Sequence, residues 1–363
     1  MAENRIYLAL GEEAQRGVKE SAAVGYIALL NTGIPKIEFD EKKRNEFRGE
    51  DSHKGNSAFL RMSQRWSSSI EMPFFTEAGA QKGMAGTILK HFFGKAVTAQ
   101  NGATGQYSHM FYPVADPFSA SNLGPKALTL NLNLNEGAVM KNWPYVGGRV
   151  KSISFEQEAG SSLKVTSQLM GQRRDAVTAE IGNPVFAAEN LRCDYNNLKV
   201  YTGNITRVGT APDYTDFSFG AATLIKPDKV SIKIENGMED AIRLSGLDYP
   251  DKTRAGQFKV TCELTIDWED PASGFSSISE FNSWIANSGQ ANLLCHWDAG
   301  TQAGTGDNHG LYIDLPKLQR MGGEPDYKLD KDPMITLKYE GVYDASATGY
   351  IAAVMLKNTA SAV

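Results

Sequence analysis

Apolar and polar residues alternate along several stretches of this chain, with the two-residue period that is typical of β-strands. Between Phe258 and Glu269 the alternation is nearly unbroken, with apolar residues at even positions and polar residues at odd ones. Shorter alternating runs occupy residues 127–134, 229–235 and 333–341. Strands with one apolar and one polar face are typical of antiparallel sheets, so the pattern predicts a mainly β protein.

Two stretches show the spacing of an amphipathic helix instead. Residues 83–93 carry an apolar stripe at helical spacing and are followed by Gly94, a common helix terminator. Residues 277–288 carry a second stripe, and Ser277 and Glu280 have the spacing of a capping box at its start. The pattern therefore predicts two short α-helices.

The predicted elements occur twice in the same order: strand, long polar loop, long strand, helix and four shorter strands. The first set is 34–39, 40–65, 66–75, 83–93, 107–112, 127–134, 149–157 and 162–170; the second is 229–235, 236–257, 258–269, 277–288, 293–297, 311–316, 333–341 and 350–356. A pattern repeated with low residue identity predicts two tandem modules. They cover residues 1–171 and 227–363, with a turn-rich connector containing short strands at residues 172–226.

The first long loop, residues 40–65, is dense in charges of both signs. A loop of this length in a compact domain is usually functional or disordered. One interpretation is a solvated, flexible loop. The other is a docking arm that pairs charges with a neighbouring subunit, through Lys42, Lys43, Arg44, Arg48, Glu50 and Asp51.

Composition narrows the class of protein. Hydrophobic residues make up 41% and charged residues 22% of the chain, which is ordinary for a globular protein. The net charge of −5 argues against binding nucleic acid through its phosphates, which requires a basic surface. The three cysteines are widely spaced and odd in number, so we expect no disulfide framework and synthesis in a reducing cytoplasm. No apolar run suggests a signal peptide or a membrane span.

Candidate catalytic groups are few. Asp267, Glu269 and Asp270 cluster around Trp268, and paired carboxylates are the requirement of a glycoside hydrolase. Asp267 and Glu269, however, lie on the polar face of a long strand, where solvated charges are the more common explanation. His296 and Asp298 could share a strand face but lack a third metal ligand. We therefore predict no enzyme activity, no metal and no cofactor.

Several short motifs resemble the tail tube proteins of long-tailed phages. They are Gly11-Glu12-Glu13, Arg48-Gly49 in the charged loop, the strand with Ser69, Glu71 and Pro73, the helix end Phe92-Phe93-Gly94, the run at 107–112, and the run from Tyr145 to Phe155. The resemblance covers about residues 5–170 by motif and 227–363 by pattern. The connector at 172–226 has no counterpart.

The resemblance implies a β-sandwich with a flanking helix, whose inner sheet joins those of its neighbours into a barrel around a channel. Common tubes of this family use six copies of the fold per ring. A chain with two copies would form a homotrimeric, pseudo-hexameric ring; the alternative is a hexamer of one elaborated fold. The implied setting is the tail of a virion, without contact to a membrane. The implied partners are further copies of the chain, the tail terminator, tape-measure and tail-tip proteins, and DNA in transit during ejection.

The resemblance also implies which residues face the channel, because polar strand faces would line it. They are Lys36, Glu38, Ser69, Glu71, Lys233, Glu235, Lys259, Glu263, Asp267 and Glu269. Acids outnumber lysines in this set, so we expect a hydrated, mildly acidic wall that repels passing DNA.

Two other functions stay open at this point. A carbohydrate-binding or glycoside-hydrolysing β-sandwich would use Trp268, Trp284 and Trp297 with the nearby carboxylates. A capsid or decoration protein would have an interaction role only.

Overall fold

The computed structural model describes residues 6–22, 25–28, 33–44, 58–76, 84–101, 105–137, 139–182, 184–286, 290–304, 307–327 and 332–363. Within them the chain is mainly β, as its alternation predicted. The helices are α1 (Ala85–Phe93) and α2 (Ser277–Ile285), with short 3₁₀ turns at Glu189–Leu191 and Tyr195–Asn197. The strands are β1 (Ile6–Glu13), β2 (Gly25–Ala28), β3 (Lys36–Arg44), β4 (Ala58–Pro73), β5 (Ala96–Asn101), β6 (Gln106–Phe111), β7 (Ala127–Glu136), β8 (Val139–Glu158), β9 (Lys164–Gly171), β10 (Arg173–Arg174), β11 (Thr178–Ala179), β12 (Leu198–Thr210), β13 (Asp213–Ile225), β14 (Lys229–Glu235), β15 (Glu239–Ala241), β16 (Lys252–Arg254), β17 (Lys259–Asp267), β18 (Gln290–Gln302), β19 (Asn308–Gly322), β20 (Pro325–Asp326), β21 (Met334–Gly341) and β22 (Ala353–Asn358).

The strands form two layers. One layer, the main sheet, has the antiparallel order β3–β4–β9–β8–β14–β17–β21. The other layer has two parts. Its first part is β2–β1–β7–β8, with β10 and β11 on the free side of β8. Its second part is β5–β6–β22–β19–β18–β12–β13. We call this second layer the outer layer. β8 and β19 each begin in the outer layer and end in the main sheet, so each of these strands runs from one layer into the other.

The apolar faces of the two layers pack against each other in one large core. Trp66 of the main sheet and Trp297 of the outer layer are among its largest fully buried side chains. Nearly all of α1 is buried, and Phe92 and Phe93 both contact the ring of Phe258. Because alternate strand residues point to opposite faces, this packing leaves the other face of the main sheet polar.

Both predicted helices form, with one difference in capping. Gly94 ends α1 in the left-handed conformation with a φ of 82°, which glycine adopts without steric cost. At the start of α2, the cap is Ser276, whose hydroxyl accepts a hydrogen bond from the Ser279 amide. Ser277, the predicted cap, instead donates to the carbonyl of Asp267 and holds the helix to the end of β17.

Several predicted boundaries are wrong. The predicted loop 40–65 is shorter, because β3 runs to Arg44 and β4 begins at Ala58. The predicted loop 236–257 contains the hairpin β15–β16. The predicted short strands of the connector are in fact two strands of 13 residues each, β12 and β13. They pair with each other and, through β12, with β18, so this stretch is part of the outer layer.

The strand pairings of the first half recur in the second. β1 pairs with β2 and β7, β7 with β8, β8 with β9, β9 with β4, and β4 with β3. The same chain of contacts links β12 to β13 and β18, then β18 to β19, β21, β17 and β14. The strand predicted at 293–297 is part of β18. In this order of pairings its counterpart is β7, and not the strand predicted at 107–112. The latter belongs to the hairpin β5–β6.

The polar side of β7 is buried. Thr129, Asn131 and Asn133 are all inaccessible to solvent. The Thr129 hydroxyl donates to the buried Glu13 carboxylate at 2.8 Å, and Asn133 Oδ1 accepts from the Ile181 amide at 3.0 Å. The alternation in this strand therefore predicted the strand correctly, but its polar face is covered by other chain segments through hydrogen bonds.

A second polar cluster links the hairpin β12–β13 to β19 within the outer layer. Asp314 is fully buried and accepts two hydrogen bonds from the Arg207 guanidinium, at 2.7 and 2.8 Å. The Tyr350 hydroxyl donates to the same carboxylate at 2.5 Å. Burial and this carboxylate both raise the pKa of Tyr350 far above its usual range, so the hydroxyl stays protonated and keeps donating.

The three cysteines, Cys193, Cys262 and Cys295, are buried as free thiols. Burial raises the pKa of all three, that of Cys295 to about 12. They act as small apolar residues of the core.

Acidification is expected to destabilise the fold through His91. This fully buried imidazole lies 3.2 Å from the Glu12 carboxylate, and burial lowers its pKa to about 4. The unfolded chain, with an ordinary histidine pKa near 6.5, then binds more protons. His91 therefore contributes stability above about pH 6.5 that is lost as the pH falls towards 4, by about 1.4 kcal/mol per pH unit. Urea unfolding of the wild type and His91→Gln at pH 7.5 and 5.0 tests this.

The His91→Gln variant should lose less stability between the two pH values than the wild type, whatever its starting stability. An equal loss would mean that His91 does not titrate in this window. His296 has its pKa lowered to about 4 by burial as well, so part of the pH dependence should remain in the variant.

Candidate functional site: the polar face of the main sheet

The outward side chains of the main sheet form continuous rows across its strands. Residues directly opposite each other in neighbouring strands point to the same face. One row is Glu71, Thr166, Ser154, Lys233, Thr261 and Glu340. The next is Ser69, Gln168, Ser152, Glu235 and Lys259. We call this surface the polar face; it extends from β3 to β21, and Ser152 near its centre is buried.

The structure brings the predicted lining residues together on the polar face, with one exception. Lys36 and Glu38 lie on β3, Ser69 and Glu71 on β4, Lys233 and Glu235 on β14, and Lys259, Glu263 and Asp267 on β17. Glu269 lies beyond the end of β17, where its backbone amide donates to Ser277 Oγ. It is exposed but belongs to the turn before α2 rather than to the strand.

The predicted lining set left out the two strands that join these groups, although both strands were predicted. β8 and β9 lie in the middle of the polar face and contribute Ser152, Ser154, Lys164 and Gln168. Part of the signal was present in the sequence, because Lys164, Thr166 and Gln168 alternate with Leu163, Val165 and Leu169, although Ser167 interrupts the apolar side. What the alternation could not give was their position between β4 and β14.

Opposite charges are paired across the polar face. Lys164 lies 2.9 Å from Glu71, Arg65 lies 2.9 Å from Glu38, and Lys338 lies 3.7 Å from Glu263. Lys229 pairs with Glu158, and Lys233 lies 2.7 Å from Glu235. The Lys233 ammonium holds the pKa of the Glu235 carboxyl below its usual range. The face is thus hydrated and locally charge-compensated rather than uniformly acidic.

The polar face is concave at one end. A groove of about 1050 Å³ lies over β3, β4 and β9. Its lining includes Lys36, Glu38, Glu71, Gln168 and Lys151. A concave, polar sheet face suits the inside of a curved wall better than a packing surface.

A family model described as "phage tail tube protein" matches residues 3–342 of this chain. The chain belongs to the phage tail tube protein family. No curated protein matches the chain significantly. The match spans both halves of the fold, and it confirms the resemblance drawn from the motifs.

The chain is therefore a structural subunit of a phage tail tube. Membership of the family implies that the tube protein self-assembles, together with other tail proteins, and that it resides in the tail of the virion. Among the described residues, no helix has the length and apolar character needed to cross a bilayer.

In this tail tube protein, the tryptophans proposed for sugar binding serve packing. Trp297 is fully buried and donates its indole N–H to Gln157 Oε1 at 2.6 Å, so no ligand can stack on it. Trp268 and Trp284 both pack around the ring of Phe281. His296, proposed with Asp298 as a metal pair, stacks on the ring of Tyr312 at 4.1 Å.

The charged loop lies only partly within the described residues. Lys42, Lys43 and Arg44 form the last residues of β3, while Arg48, Glu50 and Asp51 lie outside the described residues. The first residues of the predicted loop therefore belong to β3, which stays paired with β4 as far as Arg44 opposite Ala58.

The ion pairs of the polar face are expected to add little to the stability of the subunit. Glu71 and Lys164 are each more than 40% exposed, and exposed pairs contribute about 0–1 kcal/mol because solvent screens them. Glu71→Gln and Lys164→Gln should each change the free energy of unfolding, measured in urea, by less than about 1 kcal/mol. A loss of several times that amount in either variant would mean that the pair has a structural role.

Proposed function

We propose that three copies of the chain form a ring whose polar faces make a continuous channel wall, and that such rings stack into a tube for DNA passage. The observation that supports this most directly is the polar face itself. It extends over strands from both halves of the chain, so each chain would supply two successive wall segments. Three chains then give six segments, a pseudo-hexameric ring; six chains, each counted as one elaborated fold, are the alternative.

Closure of the main sheet into a barrel has a physical rationale. Within the described part of the chain, β4 is the strand that pairs with β3, so β3 forms one edge of the main sheet. Exposed strand edges promote uncontrolled aggregation, and closure removes them. A ring also gives the polar face a water-filled interior, where its charged side chains stay solvated.

The charge pattern of the wall suits transient passage. Affinity for DNA comes mainly from cations that bind phosphates and release counterions. On the polar face, Lys164, Lys229 and Lys233 each have a carboxylate partner in the same chain. Their charge is compensated locally, so passing DNA meets hydrated side chains without a continuous cationic track. We therefore attribute the low affinity of the wall for DNA to this local charge compensation, and not to repulsion by an acidic wall.

Contacts between stacked rings are assigned to the charged loop. Residues Lys42, Lys43, Arg44, Arg48, Glu50 and Asp51 would pair with charges on the next ring. Each pair is weak, but repetition around a ring gives a multivalent contact. The ends of the tube would meet the tail terminator and tail-tip proteins, and its interior the tape-measure protein before DNA ejection.

Electron microscopy of the purified protein, combined with native mass spectrometry, tests the proposal. Rings or tubes with a central channel and a mass of three chains per ring are expected. Six chains per ring would support the alternative stoichiometry. A chain that stays monomeric at high concentration, alone and with extracts containing the other tail proteins, would contradict the assembly.

A further inference from the structure

We propose that neighbouring chains in the ring join edge to edge: β3 of one chain pairs with the β19–β20 segment of the next, in the register that β14 and β8 show within one chain. This inference rests on the proposed ring. It adds which strands form the seam between chains and which residues face each other there.

The first observation is that β19–β20 repeats the pairing of β8. β8 pairs with β9 through Arg149–Met170, Val150–Leu169, Ser152–Gln168 and Phe155–Val165. β19 and β20 pair with β21 through Gln319–Glu340, Arg320–Tyr339, Gly322–Lys338 and Pro325–Ile335. Every residue of the second set lies 170 positions after its counterpart, and both ladders are interrupted between the second and third of these pairs.

The agreement extends to the other end of the same strands. β8 pairs with β7 through Leu128–Gly148 and Leu130–Tyr145, with an irregularity between the two pairs. β19 pairs with β18 through Ala291–Leu318 and Leu293–Leu315, with an irregularity in the same place. Two coincident irregularities fix the alignment of β8 with β19–β20 without any choice of register.

The second observation is that β3 has the same position as β14. Gln168 corresponds to Lys338 in this alignment, so their partners Ser69 and Glu263 correspond as well. Two residues earlier, Ser67 lies opposite Lys36, and Thr261 lies opposite Lys233. Lys36 of β3 is therefore the counterpart of Lys233 of β14.

The pairing of β14 with β8, which joins the two halves of one chain, serves as a template for the pairing between two chains. Inside the chain, β14 adds to the free edge of β8, with Lys233 opposite Ser154 and Glu235 opposite Ser152. The corresponding edges, β3 and the segment after Arg320, have no such partner strand among the described residues. Transferring the register places Lys36 of one chain opposite Glu324 of its neighbour.

Charge and exposure suit this pairing. Lys36 and Glu324 are both exposed in the single chain, and opposite charges directly across an antiparallel pair are favourable. Ile34, which is 54% exposed, would lie opposite Asp326 at the far end of the ladder.

The seam between chains should nonetheless be weaker than the internal junction. The internal junction pairs Ile232 with Phe155; the transferred register places Pro35 opposite Pro325. Proline has no backbone N–H, so this pair contributes no donor to the ladder. Such a seam would let the chain fold and remain a monomer until a ring is formed.

Disulfide trapping tests the register. The double variant Lys36→Cys/Glu324→Cys should form interchain disulfides in assembled rings, because residues directly opposite have Cα atoms about 4.5–5.5 Å apart. On a non-reducing gel the ladder of covalent species should end at three chains, or at six in the alternative ring. The matched control is Glu38→Cys/Asp326→Cys, which lies four residues out of register, about 13 Å at strand spacing. It should not cross-link.

The outcomes separate this inference from the proposed function. Rings that form without cross-linking in the first variant, or that cross-link equally in the control, would overturn the register and leave the tube function standing. Absence of rings in the wild type, both alone and with extracts containing the other tail proteins, would overturn the proposed function instead. As a second measurement, Lys36→Glu should reduce ring formation, and the added change Glu324→Lys should restore it. Failure of the second change to restore assembly would also count against the pairing.

Discussion

Asp314→Asn is expected to lower the free energy of unfolding by about 3–5 kcal/mol, the usual cost of breaking a buried ion pair by removing one partner. Asp314 is fully buried and Arg207 is only 14% exposed. The asparagine would leave the guanidinium charge uncompensated and the Tyr350 hydroxyl without its anionic acceptor. Urea unfolding of the monomer, followed by tryptophan fluorescence, measures the loss.

A matched control exists in the same chain. Arg243 and Asp251 also form a bidentate pair, with Nε and Nη2 both within hydrogen-bond distance of the carboxylate. In this pair the Arg243 side chain is 55% exposed and stays solvated, although Asp251 is only 12% exposed. Asp251→Asn should therefore cost far less than Asp314→Asn. Equal losses from both variants would show that burial of the Arg207–Asp314 pair does not determine its contribution.

Trp66→Ala is expected to destabilise the subunit by a similar amount, about 3–5 kcal/mol, because it removes a buried aromatic side chain and leaves a cavity. The Trp66 ring fills the space above two glycines, Gly148 and Gly171, at which a Cβ atom would come within 3.1 and 2.2 Å of the ring. Its indole N–H donates to the Val146 carbonyl at 2.9 Å. Chemical unfolding of the variant gives the value.

The neighbouring residue on the opposite face provides the control. Arg65 points to the polar face and is 52% exposed, so Arg65→Ala should change stability by less than about 1 kcal/mol. Should the two substitutions cost the same, the division of β4 into a packed and a solvated face would be wrong.

The alternation of residues was sufficient to predict the strands with one solvated face. β17 was predicted within two residues of its observed ends, because Val260, Cys262, Leu264 and Ile266 pack into the core while Glu263 and the other odd-numbered residues face water. The grouping on one surface of the residues predicted to line a channel followed from the same rule. The charge compensation of that surface did not, since it depends on which strands are neighbours.

Other features depend on tertiary contacts that alternation does not encode. β8 was predicted only from residue 149, yet it continues back to Val139 through Pro144 and two consecutive glycines, residues that normally weaken a strand. Its neighbours β7, β10 and β11 hold that part in place. The burial of Asn131 likewise requires a partner, Asn142, that lies on another strand.

The burial of the three thiols affects how the virion withstands oxidation outside its host. A virion leaves the reducing cytoplasm and encounters dissolved oxygen and peroxides, which attack the thiolate form of an accessible cysteine. Cys193, Cys262 and Cys295 are all inaccessible to solvent and remain protonated at neutral pH because burial raises their pKa. An intact tube should consequently age in air without oxidation of these three cysteines and without accidental disulfide links between its subunits.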